Sequence, residues 1–250
     1  MIAYDRLGSG PPLLLVHGLG SCKEMWRPLL PLLAPEREVV AVDMPGFGAS
    51  PRGPRTVEEL AEALAGFAAG LGLEQPTVAG NSLGGGVALT MGAMGVAGSV
   101  CGLSPVGFVV GREGTYARAL LAGTRKLAER LAPAAPALGR SAVARTLLSS
   151  HAAARPWRIP PEDTAHWTRM YAQAPAFWDL LDALDEWRAP VPACPTTIAW
   201  GERDRLLIFS RQAPRARRAL PAARHVVLRG CGHVPTWDDP EQIARVLLSA

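Results

Sequence analysis

Ser82 stands at the centre of Gly80-Asn81-Ser82-Leu83-Gly84, a Gly-x-Ser-x-Gly arrangement. Apolar residues lead into it as at the end of a strand, and Val87 to Met94 lead out of it as at the start of a helix. In that context the pattern turns a strand sharply into a helix and leaves the serine hydroxyl at the apex. Side chains two residues to either side would collide across so tight a turn, which is the physical reason for the glycines. A serine hydroxyl is a poor nucleophile until a neighbouring base takes its proton and a third group orients that base. On sheets that carry this turn, the partners follow in the order serine, acid, histidine. Asp204, in Gly201-Glu202-Arg203-Asp204-Arg205, and His233, in Gly230-Cys231-Gly232-His233-Val234-Pro235, meet that order. Each lies just past a run that reads as a strand, where the active sites of open α/β sheets collect. The chemistry these three residues suggest is acyl transfer.

Other residues compete less well for the same roles. Glu202 is the nearest rival to Asp204. Asp43 lies in a Pro-Gly-rich loop that suggests a turn-stabilising role, Asp238 and Asp239 read as helix caps, and Asp179, Asp182 and Asp185 sit on a helical segment facing solvent. His225 opens a strand and so belongs at the opposite edge, while His151 and His166 read as surface or substrate-pocket residues. Acyl transfer also needs donors for the tetrahedral oxyanion. The backbone N–H of Leu83, at a helix start, is one natural candidate. The N–H of Leu19, in the loop after the apolar run ending at Val16, is the second.

These residues need a frame that brings three distant loops together. Pro12-Leu13-Leu14-Leu15-Val16 and Val39-Val40-Ala41-Val42 are short continuous apolar runs, the signature of strands buried on both faces of a parallel sheet. Ile2 to Leu7, Pro76 to Ala79, Val100 to Leu103, Thr196 to Trp200 and His225 to Leu228 complete a set of strands alternating with helices. Trp26 to Leu33 reads as helix. Thr56-Val57-Glu58-Glu59 is a capping box opening another, and Asp239-Pro240 supplies an N-cap and N1 for the last. Such alternation means right-handed βαβ units. The rhythm breaks at about Gly107. From there to about Ala189 only helix-like segments occur, namely Tyr116 to Leu131, Gly139 to Leu148, Pro161 to Gln173 and Ala176 to Trp187. The expected organisation is a core of residues 1–106 and 190–250 with a helical lid, 107–189, inserted in it.

Composition narrows the function classes. A chain of 250 residues, 48% hydrophobic and 19% charged, can bury a large core as one α/β domain. The net charge of +4 comes from arginines scattered among acids, the mark of a GC-rich coding sequence, so no nucleic-acid partner is expected. Cys22, Cys101, Cys194 and Cys231 have no C-x-x-C spacing and no metal-ligand pattern with histidine, so free thiols in a reducing compartment and no metal are expected. Met1 to Arg6 lacks the features of a signal peptide, and no apolar run reaches the ~20 residues of a membrane span. A cytoplasmic monomer or homodimer without a membrane partner is the expectation.

His17-Gly18-Leu19-Gly20, Asp43-x-Pro45-Gly46-x-Gly48-x-Ser50, the Ser82 pentapeptide with Gly85, Gly201-Glu202-x-Asp204 and Gly232-His233-x-Pro235 together resemble the α/β-hydrolase superfamily. The resemblance spans essentially the whole chain. It implies an α/β-hydrolase fold with seven strands rather than the usual eight, since only one strand precedes Pro12. It also implies a Ser82, Asp204, His233 triad, Leu19 and Leu83 amides as the oxyanion hole, a structural role for His17, and no cofactor. Ser82 as nucleophile differs from the aspartate of haloalkane dehalogenases and epoxide hydrolases of this fold. Asn81 is similar to carbon–carbon bond hydrolases acting on meta-cleavage products, although Val234 replaces the tryptophan that many of them carry after the histidine.

Trp157, Trp167, Met170, Tyr171, Phe177 and Trp178 fall in the inserted segment. Most of them are expected to pack that segment onto the core; those that line a pocket, with Asn81, would select an apolar or aromatic small-molecule substrate. Three readings follow: a serine hydrolase of an ester-like bond, a carbon–carbon bond hydrolase, or a ligand-binding protein or cyclase without hydrolytic activity.

Overall fold

The computed structural model describes all residues from Met1 to Ala250. Its centre is a seven-stranded sheet of β1 (Tyr4–Leu7), β2 (Pro12–Val16), β3 (Glu38–Val42), β4 (Thr77–Asn81), β5 (Ser99–Leu103), β6 (Thr196–Gly201) and β7 (Arg224–Leu228). The spatial order is β1-β3-β2-β4-β5-β6-β7. Only β1 runs antiparallel, pairing Tyr4 with Val42 and Leu7 with Val39 at one edge. The remaining strands are parallel, so Val16, Asn81, Leu103, Gly201 and Leu228 end on the same edge of the sheet.

The apolar runs divide their side chains between two faces, as a period of two requires. Leu14, Val16, Val40, Val42 and Val78 join one buried cluster, together with Leu60 and Leu64 of α2 (Val57–Gly70) and Val87 of α3 (Leu83–Ala93). Leu13, Leu15, Val39, Ala41 and Ala79 join the other, against Leu33 of α1 (Leu30–Leu33) and Ile243 of the C-terminal helix, Pro240–Leu248. Burial on both faces explains why these strands show no polar alternation.

Between β5 and β6 the chain forms α4 (Arg112–Leu131), α5 (Ala135–Arg140), α6 (Ala142–Ser149), α7 (Pro161–Gln173) and α8 (Phe177–Ala183). Then α9 (Phe209–Ala219) joins β6 to β7, and α10 is the C-terminal helix Pro240–Leu248. Several boundaries differ from the periodicity. The helix expected from Trp26 to Leu33 is a 3-10 turn at Lys23–Trp26 and then the short α1, because Pro28 between them has no N–H to donate. The segment expected from Gly139 to Leu148 divides at Ser141, whose hydroxyl accepts from Ala144 N at 3.3 Å and caps α6. The helix expected to reach Trp187 stops at Ala183. No helix is long and apolar enough to cross a membrane.

Candidate active site

Strand β4 delivers Ser82 to the sheet edge with φ 57° and ψ −115°, a region that L-residues avoid. The strain, of order 1–3 kcal/mol, is held by neighbours that fit no other way. Ser82 N donates to Leu103 O at 3.0 Å, and Ser82 O accepts from Val106 N and Gly86 N, both at 3.1 Å. A Cβ on Gly80 would collide with the carbonyl of Gly84, and one on Gly84 with the carbonyl of Val16. The turn therefore closes only with glycine at both positions, and Ser82 Oγ is left without a hydrogen-bond partner.

The other two residues meet beside it. His233 Nδ1 lies 2.8 Å from Asp204 Oδ2, both side chains being buried. The second oxygen of Asp204 accepts from Leu206 N at 2.9 Å and Leu207 N at 2.8 Å. Trp200 Nε1 holds the far side of this turn through Leu207 O at 2.9 Å. With both its oxygens engaged, the carboxylate fixes the imidazole and directs its Nε2 away, towards the cavity that Ser82 and His233 both line. Glu202, the rival acid, instead pairs with Arg229 at 2.8 Å and Gly230 N at 2.9 Å.

The loop after β2 is anchored by His17, which is fully buried. Its Nε2 accepts from Met44 N at 2.9 Å, so Nδ1 carries the proton and donates to Gly18 O at 2.8 Å. Burial holds the His17 pKa below its ordinary value, consistent with a neutral ring. Asp43 secures the adjoining loop by accepting from Lys23 N at 2.7 Å and Ala49 N at 2.9 Å. Gly18 packs so closely that a Cβ there would stand 3.2 Å from Ser82 Cβ. Leu19 N, in the same loop, makes no hydrogen bond, and Leu83 N opens α3.

Asn81 lines the cavity beside Ser82, and its amide nitrogen is committed to backbone. Its Nδ2 donates to Leu103 O at 3.0 Å and to His233 O at 2.9 Å, tying the elbow to the histidine loop. Its buried Oδ1 has no partner. Asp238, read from sequence as a helix cap, does different work. Asp239 is the cap, accepting from Gln242 N at 2.9 Å. The fully buried Asp238 carboxylate accepts from Gly232 N at 2.8 Å, Ala154 N at 2.9 Å and Arg155 N at 2.7 Å. It clamps the histidine loop to the insertion. The signal was present in sequence: two acids precede Pro240, and only one of them can cap the helix.

A cavity of about 460 Å3 extends from Ser82 and His233 between the sheet edge and α4, α6 and α7. None of its 29 lining residues is an aspartate, glutamate, lysine or arginine. Trp167 and Tyr171 line it; Trp157, Met170, Phe177 and Trp178 do not. Phe177 is instead fully buried against Tyr171, Trp178 and the Arg125 guanidinium, while Trp157 and Trp178 are exposed. Trp237 lines the cavity and was not singled out by sequence reasoning, and His151, read as a surface or substrate-pocket residue, lines it too. Outside the lining, Cys22, Glu24 and His166 bring one ligand atom each within 4.8 Å of one another. Lys23 Nζ holds Glu24 at 3.2 Å, His166 Nε2 stands 3.5 Å from the same carboxylate, and burial drives the Cys22 thiol far above its ordinary range.

The alpha/beta hydrolase family model matches residues 13–246. The chain belongs to that family. An uncharacterised protein of Mycobacterium tuberculosis is 30% identical to this hydrolase over 98% of the chain and 76% of its own length. Among solved structures, an esterase from Thermogutta terrifontis superposes with a TM-score of 0.75 at 24% identity, covering 99% of this hydrolase and 92% of the esterase. A meta-cleavage product hydrolase gives a TM-score of 0.74 at 20% identity over 99% and 93% of the two chains. At such identities these two share the fold with this hydrolase, and the bond it cuts has to be argued from its own cavity.

Proposed function

We propose that this α/β hydrolase is a serine esterase that cleaves an uncharged, largely apolar small molecule through an acyl-enzyme on Ser82. Ser82 Oγ attacks the ester carbonyl while His233 Nε2 takes its proton. The tetrahedral oxyanion is received by the amides of Leu19 and Leu83, each such donor contributing about 3–4 kcal/mol in the transition state. Collapse expels the alcohol, which leaves with the proton from His233. Water, activated by the same nitrogen, then attacks the acyl-enzyme and releases the carboxylic acid. Asp204 keeps the imidazole in the tautomer that presents Nε2. In this reading the segment 107–189 is a lid over the core formed by 1–106 and 190–250, since α4, α6 and α7 supply one wall of the cavity.

One observation carries the choice of substrate class: a lining without a single Lys, Arg, Asp or Glu. A meta-cleavage product is a vinylogous diketone acid, and its carboxylate would be buried here with no cation to pair it, at a cost of several kcal/mol. The test compares p-nitrophenyl butyrate with a vinylogous diketone acid, alongside labelling by a fluorophosphonate. The expected results are turnover of the ester, labelling at Ser82, and a loss of at least about 10^4-fold in kcat for Ser82→Ala. Full turnover by that variant, or preference for the acid, overturns the reading.

A further inference from the structure

His151 follows α6 and lines the same cavity as Ser82 and His233, with no hydrogen-bond partner for either ring nitrogen in the protein. Several other polar side chains of the insertion that face this space are committed. Thr124 Oγ1 donates to Leu120 O at 2.8 Å, Thr168 Oγ1 to Thr164 O at 2.8 Å, and Tyr171 Oη to Leu121 O at 3.3 Å. Ser149 and Ser150 make no side-chain hydrogen bond and Trp167 Nε1 is buried without a partner, so His151 is one of a few uncommitted polar groups on this wall, and the one whose backbone neighbours are tied to the His233 loop.

Its position is built. The next residues, Ala152 to Arg155, are docked on the histidine loop by Val234 N to Ala152 O at 2.7 Å and by the Asp238 carboxylate, which takes the amides of Ala154, Arg155 and Gly232. Gly232 allows the approach: a Cβ there would stand 2.7 Å from Ala154 N and 2.8 Å from Ala152 O. The backbone that carries His151 and the backbone that carries His233 are therefore joined within a few residues of both rings. Burial, with a smaller contribution from His233 nearby, pushes the His151 pKa down to about 4, so the ring is a neutral donor and acceptor at neutral pH.

We propose that His151 is a substrate-binding residue that hydrogen-bonds an uncharged oxygen of the substrate, a hydroxyl, ether or second carbonyl placed apart from the scissile carbonyl. The proposal rests on the esterase reading and narrows it: the substrate is a neutral ester with one further polar group on an apolar body. A hydrocarbon at that point would leave the imidazole buried and unpaired, which is the basis of discrimination.

The experiment measures kcat/KM for p-nitrophenyl hexanoate and for a series in which one ether oxygen replaces successive methylenes of the acyl chain, with the hemisuccinate ester as an anionic member. Wild-type enzyme is expected to favour one ether position over hexanoate. That ratio should fall about threefold to tenfold in His151→Phe and be largely kept in His151→Gln, which retains a donor and an acceptor. A ratio that is the same in wild type and His151→Phe at every ether position overturns the proposal. So does a preference for the hemisuccinate that disappears in His151→Phe, which would assign the ring to an anion. Fluorophosphonate labelling separates the two levels. Labelling of Ser82 with an unchanged ratio removes His151 alone, whereas no labelling and no turnover removes the esterase reading and this inference with it.

Discussion

Asp238→Asn is the substitution that most directly tests how the histidine loop is held. In the native protein one carboxylate oxygen takes the amides of Gly232 and Ala154 and the other that of Arg155. Asparagine offers a single acceptor oxygen. If it serves Gly232 and Ala154, the new NH2 faces the N–H of Arg155, donor against donor, and that buried amide is orphaned at about 1–3 kcal/mol. The two surviving bonds lose their charge assistance, worth about 1 kcal/mol each. Removing a buried charge returns part of this, leaving a net destabilisation of about 2–3 kcal/mol. For a domain of this size that lowers Tm by about 5–10 °C. Hydrogen exchange should quicken at Gly232, Ala154 and Arg155 before it does in β4 or β5. Because His233 follows Gly232, kcat for an ester should drop about tenfold or more with a smaller change in KM. A Tm within 1 °C of wild type together with unchanged protection at those three amides would refute the reasoning.

Three further outcomes are expected. Burial raises the Cys101 and Cys231 thiols to about 12 and Cys22 further still, so at pH 8 native protein should expose no more than Cys194 to DTNB, with all four reacting after unfolding in urea. His151 has its pKa lowered from 6.5 to about 4, and His17 is lowered too; the unfolded chain therefore binds more protons below pH 6.5. Stability should consequently fall as pH drops from 6.5 towards 4, His151 contributing at most about 3 kcal/mol of the loss, and His151→Phe should flatten that part of a Tm-against-pH curve. Thr56→Ala removes the acceptor for Glu59 N at 3.2 Å at the start of α2, costing about 1 kcal/mol and about 2–4 °C in Tm by calorimetry.

The sheet was readable because its signals are local. Pro12–Val16 and Glu38–Val42 are apolar runs bounded by turn residues, and nothing distant is needed to recognise a strand buried on both faces. The elbow is local for the same reason: five residues carry both the strain and the glycines that permit it. What sequence could not give is direction over distance. Asn81 was singled out by type, yet the two partners of its Nδ2 lie 22 and 152 residues away, and only folding decides that this nitrogen binds two backbone carbonyls while the residue lines the cavity. Asp238 reaches 83 and 84 residues back into the insertion. The aromatic residues of that insertion share a composition while having different duties, since the helical face of each depends on how α7 and α8 seat on the core. Even the capping box was legible only in outline: Thr56 caps as expected, but Glu59 reaches back to Arg55 N at 2.7 Å, one residue before the amide such a box normally serves.

The bond from Asn81 Nδ2 to the carbonyl of His233 has a mechanical consequence. Asn81 precedes Ser82, and the same amide grips Leu103 at the end of the neighbouring strand, so the histidine loop hangs from the two central strands of the sheet. The separation of the elbow from the His233 backbone is therefore set by a direct bond between them. The insertion pulls on the same loop from the other side, through Asp238. The histidine loop is thus held from two sides, by the sheet through Asn81 and by the insertion through Asp238, and a load on either tether is shared by the other.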